Sequence, residues 1–296
     1  GSETAIPPYL LALSCLPHAE IWVADYNYVF STEVSHILTD IYEFSPKDTF
    51  LLIDEAHNLP ERVAGAYSVD LDHRAIYILL EELRDLQVPP AVIRTLEPLA
   101  ATLEALSKTE EHDATFEYEM LATLDQIKES CDESILPWDE MNENELTLLR
   151  QLAKAARVLA DERLDRILYS REPGTLSIHC LDASPTIREA IQPFKQTLFT
   201  SATLQPYPSF VKNCGLDPNA VQILQAHCPW KKNAMRFAVD TRVDTRYRYR
   251  SQSYSTTAET IGMCMEAYDR KLAVFFSSYQ YATILKEYLE WSRPEI

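Results

Sequence analysis

The pattern of apolar and polar positions changes character twice along the chain. Short apolar, β-favouring runs at Ile21–Ala24, Phe50–Ile53, Leu176–Leu181 and Thr197–Thr200 predict buried strands, with helical stretches between some of them. Such alternation points to an α/β fold. Between about Asp72 and Glu172 the signals become helical, over Ala75–Leu86, Ala91–Ser107, Thr115–Ser130 and Glu143–Leu164. Asn142 and Glu145 have the spacing of a capping box at the start of the last helix. An all-helical insertion inside an α/β domain is therefore expected. Beyond Gln205 a second α/β unit begins, with strands near Arg236–Asp240 and Leu272–Phe276 and a helix from about Thr257 to Tyr268. Thr256 and Glu259 have capping-box spacing at that helix.

Composition restricts the class. The chain has 296 residues, 46% of them hydrophobic, enough for two or three domains of a soluble protein. It has no apolar run near the roughly 20 residues of a membrane helix and no signal-peptide pattern, so an intracellular protein is expected, cytoplasmic if the source is bacterial. The six cysteines, Cys15, Cys131, Cys180, Cys214, Cys228 and Cys264, form no C-x-x-C pair. Reduced, mostly buried thiols are expected, with no zinc ribbon and no iron–sulfur cluster. The five glycines, at positions 1, 65, 174, 215 and 262, never approach the spacing of a phosphate-cradling loop.

The net charge of −18 argues against nucleic-acid binding by the whole surface, but the charge is unevenly spread. Residues 110–145 hold 13 acidic side chains against Lys128 alone. Residues 228–250 hold seven basic side chains (Lys231, Lys232, Arg236, Arg242, Arg246, Arg248, Arg250) against Asp240 and Asp244.

Chemistry enters with Leu51-Leu52-Ile53-Asp54-Glu55-Ala56-His57-Asn58. A hydrophobic strand that ends in paired carboxylates delivers them to the edge of a sheet where α/β folds bind ligands. In a nucleotide site the first carboxylate can hold Mg²⁺, usually through water, and the second can orient or deprotonate the attacking water. A second apolar strand ends in hydroxyls at Thr200-Ser201-Ala202-Thr203, which can bond to His57 or simply to turn backbone. A third runs into Phe275-Phe276-Ser277-Ser278-Tyr279, where the serines can hold a nucleic-acid phosphate or merely cap the helix that follows.

These stretches resemble a known family. Asp54-Glu55-Ala56-His57 is similar to motif II of superfamily 2 helicases (a DEAH box), Thr200-Ser201-Ala202-Thr203 to motif III, and Phe275-Phe276-Ser277-Ser278-Tyr279 to motif IV. Ala24-Asp25-Tyr26-Asn27-Tyr28, Leu176-Ser177-Ile178-His179-Cys180-Leu181 and Arg246-Tyr247-Arg248-Tyr249-Arg250-Ser251 narrow the resemblance to the XPD/DinG branch of DNA helicases. It implies a partial RecA-like motor domain (3–71 and 172–204), a helical insertion of Arch type (72–171) and part of a second RecA-like domain (205–296). It further implies ATP with Mg²⁺ as cofactors, and single-stranded or forked DNA as partner.

By the same resemblance Asp54 holds Mg²⁺, Glu55 activates water, and His57 with Thr200, Ser201 and Thr203 links nucleotide state to DNA movement. Tyr26, Asn27, Arg246, Arg248, Arg250, Ser277, Ser278 and Tyr279 become candidate DNA contacts. The implied parent is a 5′-to-3′ DNA helicase acting in DNA repair. With no phosphate loop in its sequence, the chain is expected to be an internal fragment, inactive by itself. Pro7 stands before Pro8-Tyr9, where the family's last cluster cysteine would be, and again predicts no iron–sulfur cluster. The rival expectation is a helicase-like interaction module without motor action, recruiting a protein partner through the acidic insertion.

Overall fold

The computed structural model describes residues 7–31, 34–40, 44–226, 237–267 and 271–292. The chain divides into two units, Gly1–Ile223 and Leu224–Ile296.

The first unit opens with α1 (Pro8–Cys15) and two short helices, α2 (Asn27–Phe30) and α3 (Ser35–Thr39). Strand β1 (Phe50–Ile53) and helix α4 (Leu59–Ala66) carry the DEAH segment between them. Next come β2 (Val69–Asp72) and four long helices: α5 (His73–Asp85), α6 (Pro90–Glu104), α7 (Ala114–Asp132) and α8 (Glu143–Ala160). The chain then returns through β3 (Asp165–Tyr169), β4 (Thr175–Asp182), α9 (Ser184–Ile191), β5 (Gln196–Phe199) and α10 (Tyr207–Asn213).

Helices α5 to α8 form because each presents a stripe of apolar residues at helical spacing, such as Ile76, Leu79, Leu80 and Leu83 on α5. Successive helices pack on one another, and α8 packs back on α5 and β2. Side-chain caps set their starts. Asp72 accepts from the Arg74 N–H, Asp113 accepts from the Phe116 N–H, and Asn142 with Glu145 forms the expected capping box. Glu145 is buried there, its carboxylate accepting from the Asn142 N–H at 2.6 Å. Helix α8 stops at Ala160, short of the expected Leu164. Asp161 leaves helical geometry and its carboxylate binds the Arg163 guanidinium at 2.7 Å, which holds the carboxyl below its usual pKa.

Two sheets frame these helices. β1 and β5 pair in parallel, Ile53 opposite Phe199. β2, β4 and β3 form an antiparallel sheet with β4 central. The predicted strand at Leu176–Leu181 is thus β4, bonded to β2 and β3 and not to the parallel pair. One continuous apolar core joins Ile53, Ala56 and Leu59 of the DEAH segment to Leu79, Leu99, Leu124 and Leu159 of the four helices. The burial expected of β1 and β5 holds on one face only. Phe50 (63% exposed), Leu52 (63%) and Leu198 (49%) lie outside the core.

Residues 21–24, predicted as a strand, have no strand pairing; Ile21 and Val23 are exposed, and Trp22 instead donates to the Leu16 and Ala19 carbonyls. An extended segment becomes a strand only when a neighbour accepts its backbone hydrogen bonds, and no described residue does so here.

The second unit contains α11 (Tyr254–Ala267) and α12 (Tyr279–Ser292), packed through Ala258, Ile261, Tyr281 and Leu285. Its predicted strands near 236–240 and 272–276 show no pairing among the described residues, and Arg236 lies outside them, as do Cys228, Lys231 and Lys232. Thr256 lies inside α11, which begins two residues earlier at Tyr254, so the Thr256–Glu259 capping box is not formed. Of the described cysteines, Cys180 and Cys214 are buried, Cys131 and Cys264 are half-buried, and Cys15 is exposed.

Candidate nucleotide and nucleic-acid site

The register of the parallel pair determines which side chains meet beyond it. Because Ile53 stands opposite Phe199, the next residues, Asp54 and Thr200, emerge side by side. The Thr200 N–H donates to the Ile53 carbonyl at 2.8 Å, and the Ala56 N–H donates to the Thr200 carbonyl at 3.0 Å. Between these bonds Glu55 occupies the left-handed region (φ 47°, ψ 39°), which costs a non-glycine residue about 1–2 kcal/mol. The ladder bonds on both sides impose that turn, and the turn separates the Asp54 and Glu55 carboxylates.

The side chains then form a small polar network. Thr200 Oγ1 donates to Asp54 Oδ1 at 2.9 Å. His57 Nδ1 lies 2.7 Å from Ser201 Oγ and 3.3 Å from Glu55 Oε2, and Ser201 Oγ lies 3.5 Å from the same carboxylate oxygen. Ser201 Oγ also accepts from the Thr203 N–H at 3.1 Å. The Asp54, Glu55 and His57 side chains are solvent-accessible, and Ala56 and Leu59 are the buried anchors beneath them. The DEAH and Thr-Ser-Ala-Thr segments, 144 residues apart, thus meet through named hydrogen bonds.

Tyr26, the residue just before α2, joins the same site. Its hydroxyl donates to the Asp54 carbonyl oxygen, and its ring packs edge-on against Phe30. Burial, then the Asp54 and Glu55 carboxylates, raise its phenol above the ordinary tyrosine value, so it stays a donor. Sequence reasoning placed Tyr26 among nucleic-acid contacts and missed this bond, which no local pattern encodes. Asn27 starts α2, its N–H bonded to Asp25 Oδ1 at 2.9 Å.

The remaining candidates lie in the second unit. Arg246 pairs with Asp244 at 2.6 Å and stands over the Tyr249 ring. Arg248 is exposed, with no ion pair among the described residues. Arg250 is buried between the Tyr247 and Tyr281 rings and donates to Ser278 Oγ and Gln280 Oε1, each at 3.3 Å. Ser278 Oγ accepts from the Tyr281 N–H at 3.3 Å, so Ser278 caps α12, while Ser277 and Tyr279 are exposed.

The DEAD_2 family model matches residues 1–76. The ATP-dependent DNA helicase CHL1 of Coccidioides immitis is 34% identical over 83 residues, 28% of this chain and 9% of that protein. The ATP-dependent DNA helicase CHL1 of Kluyveromyces lactis is 22% identical across 100% of this chain and 40% of that protein. The chain thus spans less than half the length of either relative. Among solved structures, one titled XPD helicase aligns with a TM-score of 0.49 at 18% identity, covering 97% of this chain and 50% of the other. The S. tokodaii Xpd4 structure aligns with a TM-score of 0.47 at 15% identity, covering 89% and 55%. The chain is thus similar to the DEAD_2 family over residues 1–76 and, at lower identity along its length, to the CHL1 DNA helicases.

Proposed function

We propose that the chain is part of an ATP-driven motor that moves on single-stranded DNA and unwinds duplex or forked DNA, with 5′-to-3′ polarity and a role in DNA repair. The observation that carries this reading is the joint between the two motifs: Thr200 on Asp54, and Ser201 on His57 beside Glu55. A group that sits between a water-activating carboxylate and a second strand end can report the state of the nucleotide to the rest of the motor.

The donor set suits Mg²⁺ held mainly by water and nucleotide phosphates. Asp54 presents an exposed carboxylate, one oxygen of which is oriented by Thr200. Among the described residues no three or more His, Cys, Asp or Glu side chains are grouped so that they could hold a metal ion. Mg²⁺ commonly binds through one or two carboxylates and keeps several waters. When bound, it supplies charge neutralisation at the transferring phosphoryl group. Glu55 then orients or deprotonates the attacking water, and His57 and Ser201 transmit the change. For DNA, the exposed Arg248 can meet a phosphate and the exposed Tyr279 ring can stack on a base, with Asn27, Arg246, Ser277 and Ser278 as further contacts.

In the full-length parent, Glu55→Gln is expected to abolish DNA-stimulated ATP hydrolysis while nucleotide binding persists. Hydrolysis at the unsubstituted rate would sink the motor reading. The 296-residue chain, without a glycine-rich phosphate loop, is expected to show no turnover above background, and turnover that disappears in Glu55→Gln would overturn that expectation.

A second reading, recruitment of a protein partner by the helical insertion, is favoured by one feature. The loop between α7 and α8 exposes Ile135 (94%) and Trp138 (51%) among Glu133, Asp139 and Glu140. Deleting 110–145 would also remove Met120, Leu124 and Ile127 from the core, so Ile135→Ser with Trp138→Ser is the cleaner test. Unchanged partner recovery by that variant would argue against recruitment.

A further inference from the structure

The antiparallel sheet builds a second concave site, on the face turned away from the core. β4 is central, and its register sets Asp70 of β2 and Tyr169 of β3 on either side of Ser177. Successive residues of a strand point to opposite faces, so Val69, Leu71, Leu168 and Ile178 enter the core while Asp70, Ser177, Tyr169 and His179 share the other face. Gln151 and Lys154, one turn apart on α8, and the end of α4 at Gly65 wall this face into a cavity of about 500 Å³, within the size range of small-ligand sites. Lys154 Nζ donates to the Gly65 carbonyl at 3.3 Å, which ties the two walls together.

The charges in this cavity do not neutralise one another. Ser177, itself only 7% exposed, donates from Oγ to Asp70 Oδ1 at 2.5 Å; that fixes the carboxylate, and its other oxygen has no partner among the described residues. On the far side Arg171 holds its guanidinium over the Tyr169 ring, 5.6 Å from the centroid, and forms no ion pair among the described residues. Two interstrand spacings, about 10 Å, separate β2 from β3. An ion pair needs about 4 Å or less, so the carboxylate and the guanidinium are held apart. Gln151, the Tyr169 hydroxyl and His179 add donors and acceptors around them, with no hydrogen-bond partner of their own among the described residues.

We propose that this face binds a short peptide with both ends free, its carboxylate on Arg171 and its ammonium on Asp70. The guanidinium fork matches a carboxylate in two parallel hydrogen bonds, and the second oxygen of Asp70 takes an N–H donor. Length follows from the sheet: three extended residues at about 3.3–3.6 Å each span the same distance as the two interstrand spacings. A free α-amino acid, whose two charged groups sit on one carbon, is too short. A polyphosphate or a nucleic-acid strand meets Asp70 with like charge, so the mixed pair of charges selects a zwitterion over a polyanion. None of the residues that line the cavity belongs to the network around Asp54 and Thr200, and the assignment stands independently of the motor reading.

Isothermal titration of the full chain with trialanine, N-acetyl-trialanine and trialanine amide tests this, repeated on Asp70→Asn and Arg171→Gln once circular dichroism has shown each variant folded. Trialanine is expected to bind saturably, about tenfold more tightly than either blocked peptide, the size of one charge-assisted contact. Arg171→Gln should erase the preference for the free carboxylate and keep that for the free amine, and Asp70→Asn should do the reverse. General damage to the sheet would not produce this crossed pattern, and the blocked peptides test the unsubstituted chain even where a variant fails to fold. Absence of saturable trialanine binding overturns the site, as do equal affinities for free and blocked peptides or preferences unchanged in both folded variants. Displacement of trialanine by ATP or by oligothymidylate also overturns it, because a polyanion would then be the preferred occupant.

Discussion

His57 Nδ1 lies 2.7 Å from Ser201 Oγ, tying the segment after β1 to the segment after β5. The same ring nitrogen is 3.3 Å from Glu55 Oε2, so one imidazole touches both the carboxylate proposed to activate water and the neighbouring motif. In the proposed motor, His57→Ala and Ser201→Ala are each expected to lower DNA unwinding more than ATP turnover. The double substitution should do little further damage, because both single changes break the same contact. Unwinding and turnover measured across this cycle check it, and additive losses would place the two residues on separate paths.

Tyr26 allows ring and hydroxyl to be separated. Tyr26→Phe keeps the aromatic face and removes the donor to the Asp54 carbonyl. Loss of one such bond costs about 1 kcal/mol, and the affinity for Mg²⁺ and nucleotide in the proposed motor should fall about fivefold as Asp54 loosens. If stacking on DNA were the main task of Tyr26, oligonucleotide affinity would be the quantity retained in Tyr26→Phe and lost in Tyr26→Ala. Nucleotide and oligonucleotide titrations of both variants distinguish the two roles.

The return from the helical insertion is set by Gly174. Its φ is +78°, and a Cβ there would come within 2.2 Å of His73 Nδ1, whose ring bonds to the Gly174 carbonyl at 3.0 Å. Gly174→Ala should cost about 2 kcal/mol or more, through backbone strain added to the clash. Asn142→Ala, which removes the cap of α8, should cost about 1 kcal/mol. Urea melts of the chain give both values, and a neutral Gly174→Ala would show that the turn relaxes freely.

His112 makes stability depend on pH. Its ring stacks on Phe116 and bonds to Ser170 Oγ at 2.8 Å, and burial lowers its pKa below the ordinary histidine value. The unfolded chain therefore takes up this proton first as pH falls, so the contribution is fully present above about pH 6.5 and declines below it. His112→Gln should flatten that part of the stability profile. Melting temperatures read between pH 7.5 and 5.5 check this, and equal slopes in both proteins would count against it.

Much of the helical part was legible from sequence alone. Apolar spacing located α5 to α8 within a few residues, and Asn142 with Glu145 marked the start of α8 correctly, because helical hydrogen bonds and caps are local. Strands were harder. β2 and β3 were overlooked, since Val69-Asp70-Leu71-Asp72 is too short to show a pattern and becomes a strand only by pairing with β4. The runs at 21–24 and 272–276 have strand composition, but no described neighbour completes their hydrogen bonds.

The chemistry divides in the same way. The sequence by itself determined which groups are available: two carboxylates at one strand end, hydroxyls at another, and a basic run rich in tyrosine. The tertiary structure decided which of them meet. A parallel register set Thr200 beside Asp54, and folding brought Tyr26 to the Asp54 carbonyl. It also separated three similar arginines: Arg246 paired with Asp244, Arg248 exposed, and Arg250 buried with only neutral partners among the described residues. The reason is physical: residue type fixes the charge and donors a side chain can offer, whereas burial and partners, which set what that charge does, come from parts of the chain far away in sequence.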